Sequence, residues 1–240
     1  MESLTRVARE LMAAVQGDRS RVVERLCAAC TRALPVDGAA IAMLASSGRP
    51  VVHSTSDALV AQLEELQFTL GEGPGPAAFA RGGAAAAKDL EQADPRWPVF
   101  VSQAAAVQRG TDRRFRAVFA FPLALGSAPL GVLDLYRREP GELDAELRAQ
   151  AQLAVDTVAL ALIGTASPDG DGADLGWLHE ALESDIEVDQ AVGMTMVQLG
   201  VGADEALARL RGVAFANGRM ISEVAREVVS RRLRFSREDR

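Results

Sequence analysis

The sequence predicts an α+β fold: an antiparallel sheet flanked by helices, followed by a small C-terminal bundle of three helices. Strand patterns at residues 116–124 and 129–136 are separated by the turn Leu125-Gly-Ser-Ala128, which is typical of a β-hairpin. Amphipathic helix patterns precede and follow the strands, at 4–15, 22–34 and 142–162. The segment 165–173 is rich in Gly, Pro and Asp, and only helical patterns occur after it, which predicts a linker.

These patterns predict the organisation of the chain. We expect an N-terminal helix, an α+β domain, the linker, a helical domain and a tail, at residues 1–19, 20–164, 165–173, 174–235 and 236–240.

Composition and the distribution of apolar residues argue against membrane-spanning and secreted proteins. The 240 residues carry 26 Lys and Arg against 33 Asp and Glu, a net charge of −7, so the overall charge does not indicate nucleic-acid binding. The hydrophobic fraction of 48% is enough for a sizeable core. The sequence has no run of about 18 apolar residues that would span a membrane, and no apolar signal segment near Met1. We therefore expect a cytoplasmic protein.

Local signals set the first elements. Gly17 ends the first helix, and Asp18 or Ser20 is placed to cap the second. Strand patterns follow at 39–45 and 50–54. Together with the hairpin, they predict an antiparallel sheet with helices packed on one side.

The middle of this part is less regular. Asp57 is placed to cap a helix that ends at Leu66, and residues 68–76 contain too many Gly and Pro for regular structure. Pro122, late in its strand, indicates a bulge or an edge position. Weaker patterns predict a helical turn, a strand and a helix, at 77–81, 84–88 and 97–107.

Two segments of this part match a known family in order and spacing: the loop Leu70-Gly-Glu-Gly-Pro74, and the hairpin Phe119-Ala-Phe-Pro-Leu followed by Leu130-Gly-Val-Leu-Asp-Leu. They resemble a GAF domain, a small-ligand sensor domain of signalling proteins. The resemblance covers residues 20–162 and implies a ligand pocket. The candidate pocket residues are Gly71, Glu72, Trp97, Phe119 and Asp134.

Alternatives stay open at several of these positions. Trp97 is also a candidate core residue, and Asp134 faces either solvent, by strand alternation, or the pocket. The family often has Cys where Gly75 stands, so a redox-sensing thiol is excluded at that position. The loop 71–76 lacks the Lys-Ser/Thr pair of a P-loop, so it is not expected to bind phosphate. It is either the rim of a ligand pocket or a structural turn.

The sequence offers no catalytic constellation. Cys27 and Cys30 share one helical face without a second Cys pair or a neighbouring His, so we predict buried structural thiols. No nucleophile–base pair, metal-ligand cluster or pair of catalytic carboxylates stands out by spacing. We therefore expect no enzyme, no cofactor and no metal.

The second part carries three short helix patterns. Its motifs are Ile186-Glu-Val-Asp-Gln-Ala-Val-Gly-Met-Thr-Met196, Ala203-Asp-Glu-Ala206, Leu210-Arg211, Asn217-Gly-Arg219 and Glu223-Val-Ala225. They resemble an ANTAR domain, the RNA-binding module of transcription antitermination regulators, over residues 178–233. A GAF domain followed by an ANTAR domain is a familiar pairing in actinobacterial regulators.

The resemblance implies that the bundle binds paired hairpin loops of a leader RNA and prevents a terminator from forming. Loop bases are accessible to stacking and hydrogen bonding, whereas an A-form helix is hard to read. The candidate RNA-binding residues are Gln190, Ala191, Gly193, Arg211, Asn217, Arg219 and Arg226. The late arginines from Arg226 to Arg240 form either a basic stripe or a solvated helix end. A paired RNA target suits a homodimer, for which the helix 142–162 offers an apolar stripe.

One position departs from the family motif, which usually reads Gln-Ala-Lys-Gly where this chain has Gln190-Ala-Val-Gly193. A Lys at position 192 would add a phosphate contact. From Trp177 onward the chain has nine Arg, no Lys and eleven acidic residues. Two hypotheses follow. The chain is a signal-responsive antiterminator whose helix 142–162 relays the signal, or it is a protein-interaction regulator that needs Val192→Lys to regain RNA binding.

Overall fold

The computed structural model describes residues 2–18, 21–44, 50–112, 114–126, 128–165 and 176–236 of the chain. Apart from Thr165 and Ser236, the predicted linker and tail lie outside these residues. The helices are α1 (Glu2–Val15), α2 (Val22–Ala33), α3 (Ala58–Leu70), α4 (Pro74–Arg81), α5 (Pro98–Val107), α6 (Ala145–Thr165), α7 (Gly176–Leu199), α8 (Ala203–Ala216) and α9 (Ile221–Val229). The strands are β1 (Gly38–Leu44), β2 (Pro50–Thr55), β3 (Ala85–Ala87), β4 (Ala117–Leu125) and β5 (Ala128–Arg137).

The five strands form one antiparallel sheet in the order β2-β1-β5-β4-β3. The predicted hairpin is β4–β5, in which Ala120 pairs with Asp134. Its register shifts between Leu123 and Ala124, beside Pro122, as the proline indicates. The short β3 pairs with β4 only at residues 118–120, so the missing N–H of Pro122 interrupts no bond with β3.

Helices cover both faces of the sheet, so the prediction that they pack on one side is wrong. One face, with Ile41 and Leu135 inward, packs against α1, α2 and α6. The other face, with Ala40 and Tyr136 inward, packs against α3 and α5, and α4 contacts the same sheet at β4 and β5. Because successive strand residues alternate in direction, Asp134 shares the second face with Tyr136.

The Gly/Pro-rich segment 68–76 is mostly helical, which corrects its assignment as a loop. Asp57 caps α3 as predicted, with its carboxylate accepting from the N–H groups of Leu59 and Val60 at 2.9 and 3.0 Å. The helix continues past Leu66 to the left-handed Gly71, whose φ is 64°. Pro74 then opens α4 at a position where a helix needs no N–H donor.

Two smaller expectations about the first helices have different outcomes. The residue preceding α2 is Arg21, without a side-chain capping bond, rather than Asp18, and Ser20 lies outside the described residues. Cys27 and Cys30 are buried in α2 as predicted, and burial raises the pKa of each thiol to about 12. Both therefore remain protonated and inert at neutral pH.

The predicted apolar stripe of α6 is buried in the core of the sensor domain. Leu147, Ala151 and Val158 are at most 4% exposed and pack with α1 and α2. This stripe is therefore not available as an interface for a second copy of the chain. A homodimer stays a prediction, and it would need another surface.

The helices α7, α8 and α9 form the predicted bundle around a core of their own. Its buried residues are Val188, Ala191, Val192, Ala206, Leu207, Leu210, Ala214, Ile221, Val224, Ala225 and Val228. The segment after α9 folds back, and the N–H of Phe235 donates to the side-chain oxygen of Gln198 at 2.7 Å.

Candidate functional site

The bundle docks on the outer face of α3. We call Glu65, Phe68 and Thr69 the docking face. Thr69 Oγ1 accepts from the buried N–H of Ile221 at 3.2 Å, and the hydroxyl of Ser222 donates to Glu65 at 2.9 Å. Phe68 packs against the bundle core. The N–H of Ile221, in the first turn of α9, thus finds its acceptor in the sensor domain.

Arg211, a predicted phosphate contact, also faces the sensor domain. Its Nη2 donates to the carbonyl oxygen of Phe68 at 3.2 Å. The guanidinium lies over Gly71, where an added Cβ would come within 2.7 Å of Nη1. Gly71 therefore both ends α3 and leaves room for Arg211, so this glycine serves the docking of the bundle rather than a ligand rim.

Arg219 and Arg226, the other predicted phosphate contacts, lie in ion pairs near the bundle surface. Arg219 lies 3.0 Å from Glu227, and Arg226 lies 3.6 Å from Glu187. Exposed pairs of this kind contribute about 0–1 kcal/mol, so a phosphate group can replace the carboxylate at little cost.

The remaining predicted RNA-binding residues differ in exposure. Gln190 and Gly193 are exposed on α7, one turn apart, and Gln190 follows Glu187 by one turn. Ala191 is fully buried in the bundle core, so the prediction that it contacts RNA is corrected. The side chain of Asn217 donates to the carbonyl oxygen of Val213 at 2.8 Å and completes the end of α8.

Val192 is a core residue, only 5% exposed. It packs with the buried side chains of α8 and α9. Our expectation that this position lies beside the RNA is therefore wrong for this chain. The apolar residue reflects the packing of the bundle and gives no reason to infer that RNA binding is lost.

The arginines near the C-terminus follow α9, in a segment whose residues alternate between the bundle core and solvent. Leu233 and Phe235 pack against the bundle core, whereas Arg232 and Arg234 are exposed. Arg231 is exposed as well, with a φ of 60°. The mildly acidic bundle therefore carries a local group of exposed cations.

A separate site lies between the sheet and α3, at a cavity of about 30 Å³. Its buried floor is polar, with Glu64, Gln67 and Asp134 each at most 4% exposed. Its partly exposed lining is apolar, with Phe68 and Pro76 among the residues at the mouth.

A hydrogen-bond network fixes most of this floor. The side-chain oxygen of Gln67 accepts from the N–H of Gly75 at 2.9 Å, which turns its amino group toward Glu64 at 3.3 Å and the Tyr136 hydroxyl at 3.2 Å. Tyr136 donates to Glu64. Asp134 Oδ1 is buried and has no hydrogen-bond partner among the described residues.

The two carboxyl groups are costly to ionise together. Burial raises the pKa of Glu64 to about 7. Burial, and next the charge of Glu64, raise the pKa of Asp134 well above its ordinary value. Glu64 accepts bonds from Gln67 and Tyr136, which favour its ionised form, so Asp134 holds the proton that the pair retains.

The other predicted pocket residues lie elsewhere. Glu72 accepts from the N–H groups of Val99 and Phe100 at 3.2 and 3.3 Å, which completes the start of α5. Trp97 is buried in the core, and Phe119 lies on the opposite face of the sheet. Of the five candidates, Asp134 lines the cavity, and it does not face solvent.

Sequence reasoning missed Glu64 and Gln67. A signal was present, because these polar residues fall on the same stripe of α3 as Val60 and Leu63, three and four residues apart. Within the described ranges, no group of three His, Cys, Asp or Glu side chains is placed to hold a metal ion. The same part of the chain contains no helix both long and apolar enough to cross a membrane.

Comparison with known proteins follows the two structural units. The GAF domain family model matches residues 16–163, and the ANTAR domain model matches residues 177–229. Both are regulatory domains rather than enzymatic ones. No protein in the curated set matches the chain.

Solved structures agree on the fold of the first domain. A GAF domain from a phosphoenolpyruvate-protein phosphotransferase of Coxiella burnetii has a TM-score of 0.56 at 15% identity, over 68% of this chain and 94% of that one. The corresponding Acinetobacter domain has a TM-score of 0.50 at 12% identity, over 71% and 96%. Free methionine-R-sulfoxide reductase from Neisseria meningitidis, in complex with its substrate, has a TM-score of 0.50 at 14% identity, over 67% and 87%.

At these identities the likeness concerns the fold alone. The two family matches confirm both resemblances, in the predicted order along the chain. The chain therefore belongs to the GAF domain family and, with the second domain that follows, is a GAF and ANTAR domain-containing regulator.

Proposed function

We propose that the chain is a signal-responsive regulator of transcription that acts in the cytoplasm. Its ANTAR bundle binds hairpin loops of a leader RNA and causes antitermination, and its GAF domain controls when the bundle is available. The observation that carries this proposal is Arg211, which matches the ANTAR motif and is bonded to the sensor domain at Phe68.

While the bundle is docked, the Arg211 guanidinium is half-buried against the end of α3, with Nη2 on the carbonyl of Phe68 and Nη1 over Gly71, and this position limits its access to an RNA phosphate. Docking of the bundle on α3 therefore competes with full RNA contact. The described contacts between the domains involve α3 and β2, so α3 rather than the helix 142–162 is the element we propose as the relay.

Cations at the bundle surface supply the remaining RNA contacts in this proposal. Arg219, Arg226 and the group Arg231, Arg232 and Arg234 would meet phosphates, and Gln190 would bond a base edge. We further propose that a homodimer places two bundles on a paired RNA target.

Filter binding of the full chain to a tandem-hairpin leader RNA tests the RNA-binding role. We expect Arg219→Gln and Arg226→Gln each to weaken binding. Each should also reduce the slope of log affinity against log salt by about 0.7–0.9 for every phosphate that the variant no longer neutralises. Arg9→Gln, an exposed change on α1, is the matched control and leaves both quantities unchanged.

The absence of binding at low salt, with the protein folded, contradicts the RNA-binding role. That result would favour the alternative, a protein-interaction regulator with an ANTAR fold. Light scattering of the free and RNA-bound chain tests the homodimer separately, because a monomer in both states contradicts it.

A further inference from the structure

We propose that the cavity beneath α3 binds the protonated amino group of a small ligand, a primary ammonium with a short apolar substituent. The inference rests on the sensor role proposed above and not on RNA binding. It follows from the charge, the unused acceptor and the shape of the site.

The carboxyl groups of the cavity floor favour a cationic ligand. Glu64 and Asp134 lie together on the floor, where Gln67 and Tyr136 are the described side chains that hydrogen-bond to Glu64. Among the residues whose side chains are described, no Lys, Arg or His lines it. Two buried carboxyl groups without a cation are unfavourable, and an ammonium group supplies the missing charge.

The unpartnered acceptor on the cavity floor favours a ligand that donates hydrogen bonds. Asp134 is 1% exposed, lines the cavity, and has no partner for Oδ1 among the described residues. An ammonium group carries at least three N–H donors and no acceptor, which matches a floor made of carboxylate oxygens. Only two carboxyl groups converge here, fewer than a protein site for a divalent metal ion normally offers.

The size of the floor selects a small head group. A cavity of about 30 Å³ has room for one or two water-sized groups. Gly75 creates part of this space, because a Cβ at that position would lie 2.7 Å from Asp134 Oδ2 and 3.3 Å from the Gln67 side-chain oxygen. A primary ammonium fits, whereas a quaternary one does not.

The mouth of the cavity selects an apolar substituent. Val52, Phe68 and Pro76 line the cavity and are partly exposed. Phe68 also packs against the bundle core. A substituent that leaves the floor through this mouth contacts the residue on which the bundle docks, so the occupied site and the docked bundle share Phe68.

Isothermal titration calorimetry of the full chain with n-propylammonium chloride tests the inference. We expect one site per chain, with ammonium chloride binding more weakly because it has no apolar substituent. We expect no binding of 1-propanol, which has similar size but no charge, or of tetramethylammonium, which is too large for the floor.

Two variants test the floor independently. Asp134→Asn keeps nearly the same volume but cannot ionise to balance a bound ammonium, and Gly75→Ala keeps both carboxyl groups but fills the space beside them. Gly75 lies in α4 without a left-handed φ, so alanine suits its backbone. We expect each variant to weaken propylammonium binding at least about tenfold. Glu142→Gln, an exposed carboxylate change outside the cavity, binds as the wild type does.

Three results overturn the proposal. They are no heat of binding with propylammonium at millimolar concentration, equal binding of 1-propanol, or wild-type affinity in a folded Gly75→Ala variant. The RNA assay has no part in this test, so failure of amine binding leaves the RNA-binding proposal standing, and the reverse also holds.

Discussion

Val192 is the residue whose role differs most between sequence and structure. A comparison of motifs makes it a missing cation at an RNA surface, but its side chain is buried in the bundle core. A single sequence motif does not tell which of its positions face inward, because burial depends on how α8 and α9 pack against α7. The substitution Val192→Lys therefore tests stability before it tests RNA binding.

We predict that Val192→Lys destabilises the bundle by roughly 2–4 kcal/mol, because it places an ammonium group among apolar side chains. Hydrogen exchange of α7, α8 and α9 measures the loss of stability. Val197→Lys is the matched control, since Val197 is on the same helix and 83% exposed. Equal protection in the two variants would show that position 192 is accessible to solvent.

Glu64 predicts a pH dependence of stability. Its pKa is raised from 4.5 to about 7, mainly by burial, while Gln67, Tyr136 and Asp134 are the polar groups that face it. A raised pKa in the folded state favours the protonated form. The stabilising contribution of Glu64 is therefore complete below pH 4.5 and is lost as the pH rises through 7.

The relevant quantity is the free energy of unfolding of wild type minus that of Glu64→Gln. We expect this difference to fall by up to about 3 kcal/mol between pH 4.5 and 8. Urea unfolding at a series of pH values measures this difference and cancels the surface carboxylates common to both proteins. A difference that rises with pH would mean that Glu64 is ionised in the folded state.

At the scale of elements, α3 is a helix with two functional faces. Glu64 and Gln67 point to the cavity, and Glu65, Phe68 and Thr69 form the docking face. Adjacent residues of a helix point about 100° apart, so consecutive positions serve different partners. The cavity floor and the docking face therefore lie on one and the same helix.

Docking predicts the protection of one particular backbone group. Thr69→Val removes the acceptor for the Ile221 N–H, which lies at the start of α9 and has no helical partner. We expect about fivefold faster hydrogen exchange at Ile221, from the loss of about 1 kcal/mol. Ser230→Ala, at the other end of α9, leaves Ile221 unchanged, and equal rates in all three proteins would show that the bundle is not docked in solution.

The sequence predicted the order and type of most elements because each depends on local signals. Asp57 capping α3 and the β4–β5 hairpin are examples. It predicted a helical turn at 77–81 but not the start of α4 at Pro74, since Pro74 and the glycines around it are typical of loops and also suit a helix start. The cavity floor was missed because Glu64 and Asp134 are far apart in sequence and meet only once α3 packs on β5.

At the scale of the whole molecule, the two domains share an interface that uses surface from both. Arg211, Ile221 and Ser222 of the bundle contact the last turns of α3. The same docked form therefore stabilises the bundle and holds one of its motif arginines. In the function proposed above, free energy that favours docking opposes RNA binding, because Arg211 is half-buried against α3 in the docked form.

This coupling predicts that weakening the sensor side of the interface raises RNA affinity. Glu65→Gln with Thr69→Val alters two hydrogen bonds but removes no bundle residue, so a gain cannot come from new RNA contacts. Loss of the Thr69 bond and weakening of the charge-assisted Glu65 bond amount to at most about 2 kcal/mol, which implies up to about a thirtyfold tighter complex. Filter binding against a leader hairpin measures it, with Glu142→Gln as the control for the removed negative charge. An unchanged affinity in a variant whose bundle is shown by hydrogen exchange to be undocked would mean that docking and RNA use separate surfaces.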